Sequence, residues 1–259
     1  MVVFGAIAPH GDPAFEHGSP TRLALEELGA RLVRAEPDVT VVFTPHNVHV
    51  EGSFAVVTSA AIAGRFDERE IELSCAVDRE LAASILDSLR SDGLPAVGIS
   101  YGSNDLALAE MPMDWGTLIP LWFLGGRAPE PRPVVVVSPA RERSLEEHAR
   151  AGAAVAAACE PRKAAVIASA DHGHAHDPDG PFGFDPASAE YDARVVELVS
   201  ANRLDESVSL EPIVEAASAD SLWQLVMLHG VLGDRFRVEL LSYERPTYFG
   251  MLCAAFDPR

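Results

Sequence analysis

The sequence predicts an α/β fold in which a mostly parallel central sheet is flanked by helices and followed by a C-terminal antiparallel hairpin. Short, continuous apolar runs alternate along the chain with segments of helical periodicity. This alternation is typical of a parallel sheet that is covered by helices on both faces. No internal repeat, low-complexity tract or linker interrupts it. Residues 1–259 are therefore predicted to form a single domain.

The predicted strands are apolar runs of strand length, several of them rich in valine. They cover residues 2–8, 38–44, 54–60, 94–100, 133–139 and 163–170. The segment 117–126 is equally apolar, and its periodicity fits a helix or a strand. Two β-rich runs within 235–256, separated by a turn near 245–247, predict the antiparallel hairpin.

The predicted helices are marked by their starting residues and by their periodicity. Ser19 and Pro20 supply an N-cap and a proline at the first helical position. Ser144 and Glu147 have the spacing of a capping box. The remaining helical patterns cover residues 77–93, 187–203 and 219–232.

Composition excludes several classes of partner. The chain has 39 acidic and 20 basic residues and a formal net charge of -19, which disfavours binding to nucleic acid. The N-terminal apolar run lacks a basic flank, and no apolar run reaches the ~18 residues of a membrane span. Cys75, Cys159 and Cys253 are far apart and form no CxxC pair, so a disulfide framework or structural zinc site is not expected. These features predict a cytoplasmic protein that does not associate with membranes.

Histidines are concentrated directly after predicted strands. Those in this position are His10, His46, His49, His172, His174 and His176. Ligands of open α/β sheets bind beyond the carboxyl ends of the strands, and neutral imidazoles that converge there bind transition metals. Glu244, within the β-rich stretch LLSYE, is the candidate carboxylate ligand; its alternative interpretation is an exposed residue at the hairpin turn.

Five motifs occur in an order and at separations that resemble one enzyme family. They are IAPHG, FTPHNVHVEG, MDWGTLIPL, ASADHGHAH and LLSYE. Together they resemble the class III extradiol ring-cleavage dioxygenases, the family of the LigB-type catalytic subunit, over nearly the whole chain. The resemblance implies a catalytic domain that covers residues 1–259.

The resemblance also implies a metal site and an acid–base residue. Non-haem Fe(II), with zinc or manganese as alternatives, is expected to be held by His10, His46 and Glu244. His49 is the alternative second ligand, because a gap of one residue leaves that match ambiguous. His174 is the expected acid–base residue, and Asp171 either orients a histidine or stabilises a turn.

The substrate pocket is expected to include His17, His49, Trp115 and His176. Trp115 is a departure, because many members of the family have histidine in its place and use it as a second acid–base group or substrate contact. Aminophenol-cleaving relatives also lack that histidine. An indole can stack on an aromatic ring or donate a hydrogen bond, but it cannot transfer a proton as an acid–base group.

The predicted function is therefore Fe(II)-dependent extradiol cleavage of a catechol or aminophenol, with a small aromatic molecule and O2 as substrates. The alternatives are a relative with altered catalysis that acts as a metal-binding or interaction protein, and a zinc-dependent hydrolase. By the same resemblance, a homo-oligomer is expected, and an accessory subunit is compatible with it.

Overall fold

Eleven β-strands and seven α-helices make up the fold of residues 1–259, all of which the computed structural model describes. The strands are β1 (Val2–Ala8), β2 (Val39–Phe43), β3 (Phe54–Val57), β4 (Ala61–Phe66), β5 (Ile71–Ala76), β6 (Ala96–Ile99), β7 (Glu110–Pro112), β8 (Val134–Ser138), β9 (Ala164–Ser169), β10 (Phe236–Glu244) and β11 (Met251–Pro258). The helices are α1 (Pro20–Ala35), α2 (Arg79–Ser91), α3 (Trp115–Leu121), α4 (Leu145–Ala158), α5 (Pro186–Ser200), α6 (Glu211–Val214) and α7 (Leu222–Leu232).

The central sheet has eight strands in the order β10-β11-β1-β9-β2-β8-β3-β6. Its middle strands β1, β9, β2 and β8 are parallel to one another. Their register pairs Ala8 with Ser169, Ala168 with Phe43, and Phe43 with Val137. The carboxyl ends of these four strands therefore lie level with one another at one edge of the sheet.

Both faces of the sheet are covered, because alternate residues of each strand point to opposite faces. Ile7, Val41 and Phe43 pack with helices α2, α4, α5 and α7. Ala6 and Val42 pack on the other face with α1, α3 and the small sheet described below. The predicted α/β architecture is confirmed, as is the antiparallel pairing of β10 with β11.

The capping residues read from the sequence begin the predicted helices. The Ser19 side chain accepts a hydrogen bond from the Arg22 backbone N–H at the start of α1. Ser144 and Glu147 form both bonds of a capping box at the start of α4. No helix is both long enough and apolar enough to cross a membrane.

The structure adds elements that the apolar pattern did not indicate. Strands β5, β4 and β7 form a separate three-stranded sheet in that order. Its strands are short or only half-buried, so they lack the continuous apolar runs of the central sheet. The ambiguous segment 117–126 contains most of α3 and then leaves helical geometry at Leu124 and Gly125.

Helices α4 and α7 approach each other closely where both carry glycine. A Cβ atom at Gly152 would collide with the carbonyl oxygen of Met227, and one at Gly230 would collide with that of Ala149. These contacts are made by backbone atoms, which cannot move aside as the end of a side chain can. The packing fixes the position of α7, which begins two residues after Asp220.

We expect Gly152→Ala to lower the free energy of unfolding by about 1–3 kcal/mol, because the added methyl group overpacks the helix contact. Ala157→Ser on the exposed side of α4 is the control and should change stability by less than about 0.5 kcal/mol. Urea unfolding followed by circular dichroism measures both. Equal stability of the two variants would contradict the proposed close contact.

Candidate metal centre

Two imidazoles and one carboxylate meet at the carboxyl edge of the central sheet. The Nε2 atoms of His10 and His46 are 2.9 Å apart. The Oδ2 atom of Asp220 lies 3.7 Å from Nε2 of His10 and 3.2 Å from Nε2 of His46. The ligand atoms of the three residues all lie within 4.8 Å of one another, so this His10–His46–Asp220 cluster could hold a metal ion.

His10 lies two residues beyond β1 and is held from both sides. Its Nδ1 atom is 2.9 Å from the Ser169 hydroxyl at the end of β9, which leaves Nε2 for the cluster. Its backbone N–H donates to Oδ1 of Asp171 at 3.1 Å, and Oδ2 of the same carboxylate lies 3.5 Å from Nε2. Such partners fix the orientation of a ligand histidine.

His46 follows β2 in a loop that Asp114 holds in place. Asp114 is the N-cap of α3 and accepts a hydrogen bond from the Thr117 N–H at 3.0 Å. The Thr44 hydroxyl donates to Oδ1 of Asp114 at 2.7 Å, and the Asn47 side-chain amide donates to Oδ2 at 3.1 Å. The start of α3 therefore fixes the backbone on both sides of His46.

Asp220 lies just before α7 and is 8% exposed. Its Oδ2 atom faces both histidines, whereas its buried Oδ1 atom has no hydrogen-bond partner. A buried carboxylate oxygen without a partner is energetically costly, and a bound cation would relieve that cost. Together with two imidazole nitrogens, this donor set fits a transition-metal ion.

The electrostatics of the cluster favour a positive charge. Burial lowers the pKa of His10, but the carboxylates of Asp171 and Asp220 outweigh it and raise that pKa to about 9. Burial raises the pKa of Asp220, but its hydrogen bonds with His10 and His46 outweigh that effect and lower it. Burial also raises the pKa of Asp171. In the absence of a metal ion, a proton on His10 supplies the positive charge.

The cluster opens into a cavity of about 1330 Å³, which is larger than the ~300–1,000 Å³ of typical small-molecule pockets. Aromatic side chains form much of its wall: Trp115, Phe182, Trp223, Tyr248 and Phe249. The Trp115 ring, 58% exposed, lies 4.8 Å from the His46 ring between centroids. A flat apolar molecule can therefore lie against these rings while it contacts the cluster.

A match to a known protein family shows which proteins this chain is related to. The family described as the catalytic LigB subunit of aromatic ring-opening dioxygenase matches residues 6–253. The chain belongs to this family. Membership agrees with the resemblance seen in the motifs and with a cluster that could hold a metal ion.

Two individual proteins are also similar to this chain. Protein CA_C1420 of Clostridium acetobutylicum is 24% identical over 234 residues, which is 86% of this chain and 49% of that protein. The chain thus spans about half the length of this curated relative. The crystal structure of uncharacterized protein JW3007 from Escherichia coli K12 has a TM-score of 0.69 at 14% identity, with 98% of this chain and 99% of that chain covered. This likeness shows a shared fold.

Glu244, the predicted carboxylate ligand of the LigB-type site, lies outside the His10–His46–Asp220 cluster. Its Oε1 atom accepts the Thr21 backbone N–H at 2.9 Å and so caps the first turn of α1. It ends β10, the edge strand, which β11 separates from β1 and therefore from His10. The structure brings His10 and His46 together, and the carboxylate beside them belongs to Asp220 and not to Glu244.

The three histidines that follow β9 have three different surroundings, and none belongs to the cluster. Nδ1 of His172 lies 2.9 Å from the Ser221 hydroxyl, and burial lowers the pKa of this histidine to about 4. His176 is buried, with Nε2 2.8 Å from the Asp192 carboxylate. Only His174 lines the cavity.

His174 is held among aromatic rings beside the cluster. It stacks on Phe249 with ring centroids 5.4 Å apart and meets Phe182 edge-on at the same distance. Its backbone N–H donates to the carbonyl of Ala217 at 2.9 Å, three residues before Asp220. Its buried Nδ1 has no hydrogen-bond partner. The ring thus has a fixed orientation and an unused polar atom.

The other predicted site residues lie in the cavity wall, on the surface or, in the case of His176, in the interior. Trp115 and Asp171 line the cavity, although Asp171 contacts His10 rather than His174. His17 is exposed and His49 pairs with Glu142 at 2.9 Å. Neither of these two histidines lines the cavity, and His176 is also absent from its wall. His46 therefore contributes to the cluster and its alternative His49 does not.

Sequence reasoning missed Asp220. An acidic residue immediately before an apolar helix has the pattern of an ordinary helix cap, and this one is followed by Ser221, the N-cap of α7. The signal that could have found it is its position: the helix packs against the sheet so that its N-terminal end lies beside the loops that carry His10 and His46.

We expect Asp220→Asn to weaken Fe(II) binding by more than about tenfold. Even the loss of a residue that only supports a metal ligand lowers metal affinity by about 10–100-fold. Anaerobic loading, desalting and metal analysis measure the effect. Glu244→Gln is the matched control: it should retain the metal, and because the amide oxygen still accepts the Thr21 N–H, it should lose only the stabilisation of about 0.3–1 kcal/mol from a negative charge at the start of α1. Loss of metal in Glu244→Gln and retention in Asp220→Asn would reverse the assignment.

Proposed function

We propose that this protein is an Fe(II)-dependent extradiol dioxygenase that opens the ring of a catechol or aminophenol with O2. The observation that supports the proposal is the His10–His46–Asp220 cluster at an aromatic-walled cavity, in a chain of the LigB family. Two histidines and one carboxylate are the ligand set of the facial triad of non-haem iron oxygenases. Zinc and manganese are the alternative metals.

His10, His46 and Asp220 line the cavity, so reactants in the cavity would reach a metal ion held by these residues. Iron held by His10, His46 and Asp220 would supply coordination positions for the two adjacent ring heteroatoms and O2, together with a path for electrons between them. Ser169 contacts Nδ1 of His10 and so leaves Nε2 for the cluster, and Asp171 accepts a hydrogen bond from the His10 backbone N–H and so holds the loop. Asp220 supplies the negative charge of the three-residue ligand set.

His174 is proposed to handle the protons. A ring that chelates a metal through two oxygens, or an oxygen and a nitrogen, must lose protons as it binds, and the opening ring must take one back. Imidazole is the commonest side chain for such transfers, and His174 lines the cavity beside the cluster. Contacts with Phe249 and Phe182 hold its ring in place, so that no reorientation is needed during the reaction.

Trp115 is proposed to hold the substrate ring without taking part in proton transfer. Its indole lies beside His46 at the mouth of the cavity and presents a broad aromatic face. Offset stacking of aromatic rings contributes about 0.5–1.5 kcal/mol beyond area burial. Three histidines line the cavity, and two of them are the proposed metal ligands. His174 therefore remains as the acid–base group.

The test is oxygen uptake by iron-loaded protein on a panel of catechols and aminophenols, with product formation followed by absorbance. We expect His174→Gln to lower kcat by about 10²–10⁴-fold, the usual contribution of a general acid–base residue, with unchanged iron content. His17→Gln is the control, because His17 is exposed outside the cavity. It should have wild-type activity.

Absence of oxygen uptake by wild-type protein with a full complement of iron would overturn the proposal. Tight retention of zinc together with hydrolysis of an ester or amide would then indicate a zinc hydrolase. Equal activity of His174→Gln and wild type would leave ring cleavage intact but reject His174 as the acid–base residue.

A further inference from the structure

Asp192 is a buried acid of α5 on which three hydrogen-bond donors converge. Its Oδ1 atom accepts the Gly173 backbone N–H at 2.7 Å. Its Oδ2 atom lies 2.8 Å from Nε2 of His176 and accepts the Tyr243 hydroxyl at 2.7 Å. The residue is 2% exposed and does not line the cavity. Neither solvent nor a substrate therefore competes for these hydrogen bonds.

Arg245 determines which nitrogen of His176 carries the ring proton. Its Nη1 atom lies 3.0 Å from Nδ1 of His176, and a guanidinium can only donate a hydrogen bond. Nδ1 therefore accepts, so the proton lies on Nε2 and is donated to Asp192. Burial and the nearby Asp192 carboxylate raise the pKa of Tyr243, which keeps its hydroxyl protonated as a donor. Both side chains thus supply a proton to Asp192.

Two of the three donors to Asp192 lie on either side of His174. Gly173 directly precedes His174, and His176 follows it by two residues. Hydrogen bonds to a carboxylate are stronger than those between neutral groups. One side chain of α5 therefore holds the loop on both sides of the proposed acid–base residue.

The three consecutive backbone N–H groups of residues 173–175 are all anchored. The first donates to Asp192, as described above. The second donates to the Ala217 carbonyl and the third to the Ser188 hydroxyl, each at 2.9 Å. The His174 ring is thus carried on a backbone that is fixed at every N–H in this stretch, and Asp192 supplies the only charged acceptor among the three.

Two glycines allow the carboxylate and the loop to lie this close together. A Cβ atom at Gly250 would collide with Oδ2 of Asp192. A Cβ atom at Gly173 would lie 2.8 Å from the Cα atom of Ser188, which belongs to the first turn of α5 and cannot move aside as the end of a side chain can. The contact between α5 and the loop is therefore too close for either to shift without breaking it.

We propose that Asp192 is a positioning residue for His174, which it holds in place through the backbone N–H of Gly173 and the side chain of His176. The inference rests on the proposed function, in which His174 handles the protons. An acid–base residue must lie within hydrogen-bond reach of the atom that gains or loses the proton. Misplacement by about 1 Å can cost about 10²-fold in rate, even when its cause lies away from the reacting atoms.

The test is a double-mutant cycle of Asp192→Asn and His174→Gln in iron-loaded protein. The introduced amide has one acceptor oxygen, so it cannot accept from Gly173 and from the donors at Oδ2 together. Alone, Asp192→Asn should lower kcat by about 10–100-fold with unchanged iron content. Combined with His174→Gln, it should lower kcat by less than about threefold further, because an effect that acts through His174 is already lost.

Glu190→Gln is the matched control, because it makes the same change from carboxylate to amide at an exposed position of α5. It should leave kcat unchanged. Amide hydrogen exchange of zinc-loaded protein, followed by NMR, reports on the loop without turnover. Asp192→Asn should speed exchange of the N–H groups of residues 173–175 by at least about tenfold, and Glu190→Gln should not.

His176→Leu is the second variant, because it removes one donor and leaves Asp192 itself in place. It carries the same cycle and the same exchange measurement if Asp192→Asn does not fold. Losses of kcat that multiply with that of His174→Gln, or unchanged exchange of residues 173–175, would overturn the proposal. If wild type opens no ring but these variants still release the loop, only the proposed function fails.

Discussion

The parallel pairing of β1, β9, β2 and β8 is the constraint on which the rest of the structure depends. Since the four strands end level with one another, the loops that follow them share one edge of the sheet. Those loops carry His10, Asp171, His46 and Arg141 in turn. Residues that are distant in the sequence thus become neighbours.

The third residue of the cluster, Asp220, comes from outside the sheet. Helix α7 contributes Asp220 from its N-terminal side, and backbone-to-backbone packing against α4 at Gly152 fixes where that carboxylate lies. The result is a buried group of acids around two histidines, which raises the pKa of His10 and leaves one oxygen of Asp220 without a partner. A site of this kind is stabilised by bound positive charge, and a divalent ion supplies more of it than a proton.

Much of this arrangement was predictable, because local rules determine it. Valine-rich runs such as β8 and the capping box at Ser144 identify their elements directly, and the histidine positions after β1 and β2 follow from strand direction alone. The small sheet was not predictable, since its half-buried strands lack continuous apolar runs. Glu244 had a structural reason to end its strand, because it caps α1 across the fold. Asp220 was not predictable, because only the packing of α7 brings it next to His10 and His46.

The central claim is that the His10–His46–Asp220 cluster supports ring opening by O2. A single turnover of iron-loaded protein with substrate under ¹⁸O₂, analysed by mass spectrometry of the ring-opened product, tests it most directly. The proposed function predicts that the product of wild type carries both labelled oxygen atoms and that protein with Asp220→Asn forms no product. An unopened ring, or an opened product that carries no labelled atom, would contradict the claim; an aldehyde or ketone oxygen exchanges with water, so loss of that one label would not.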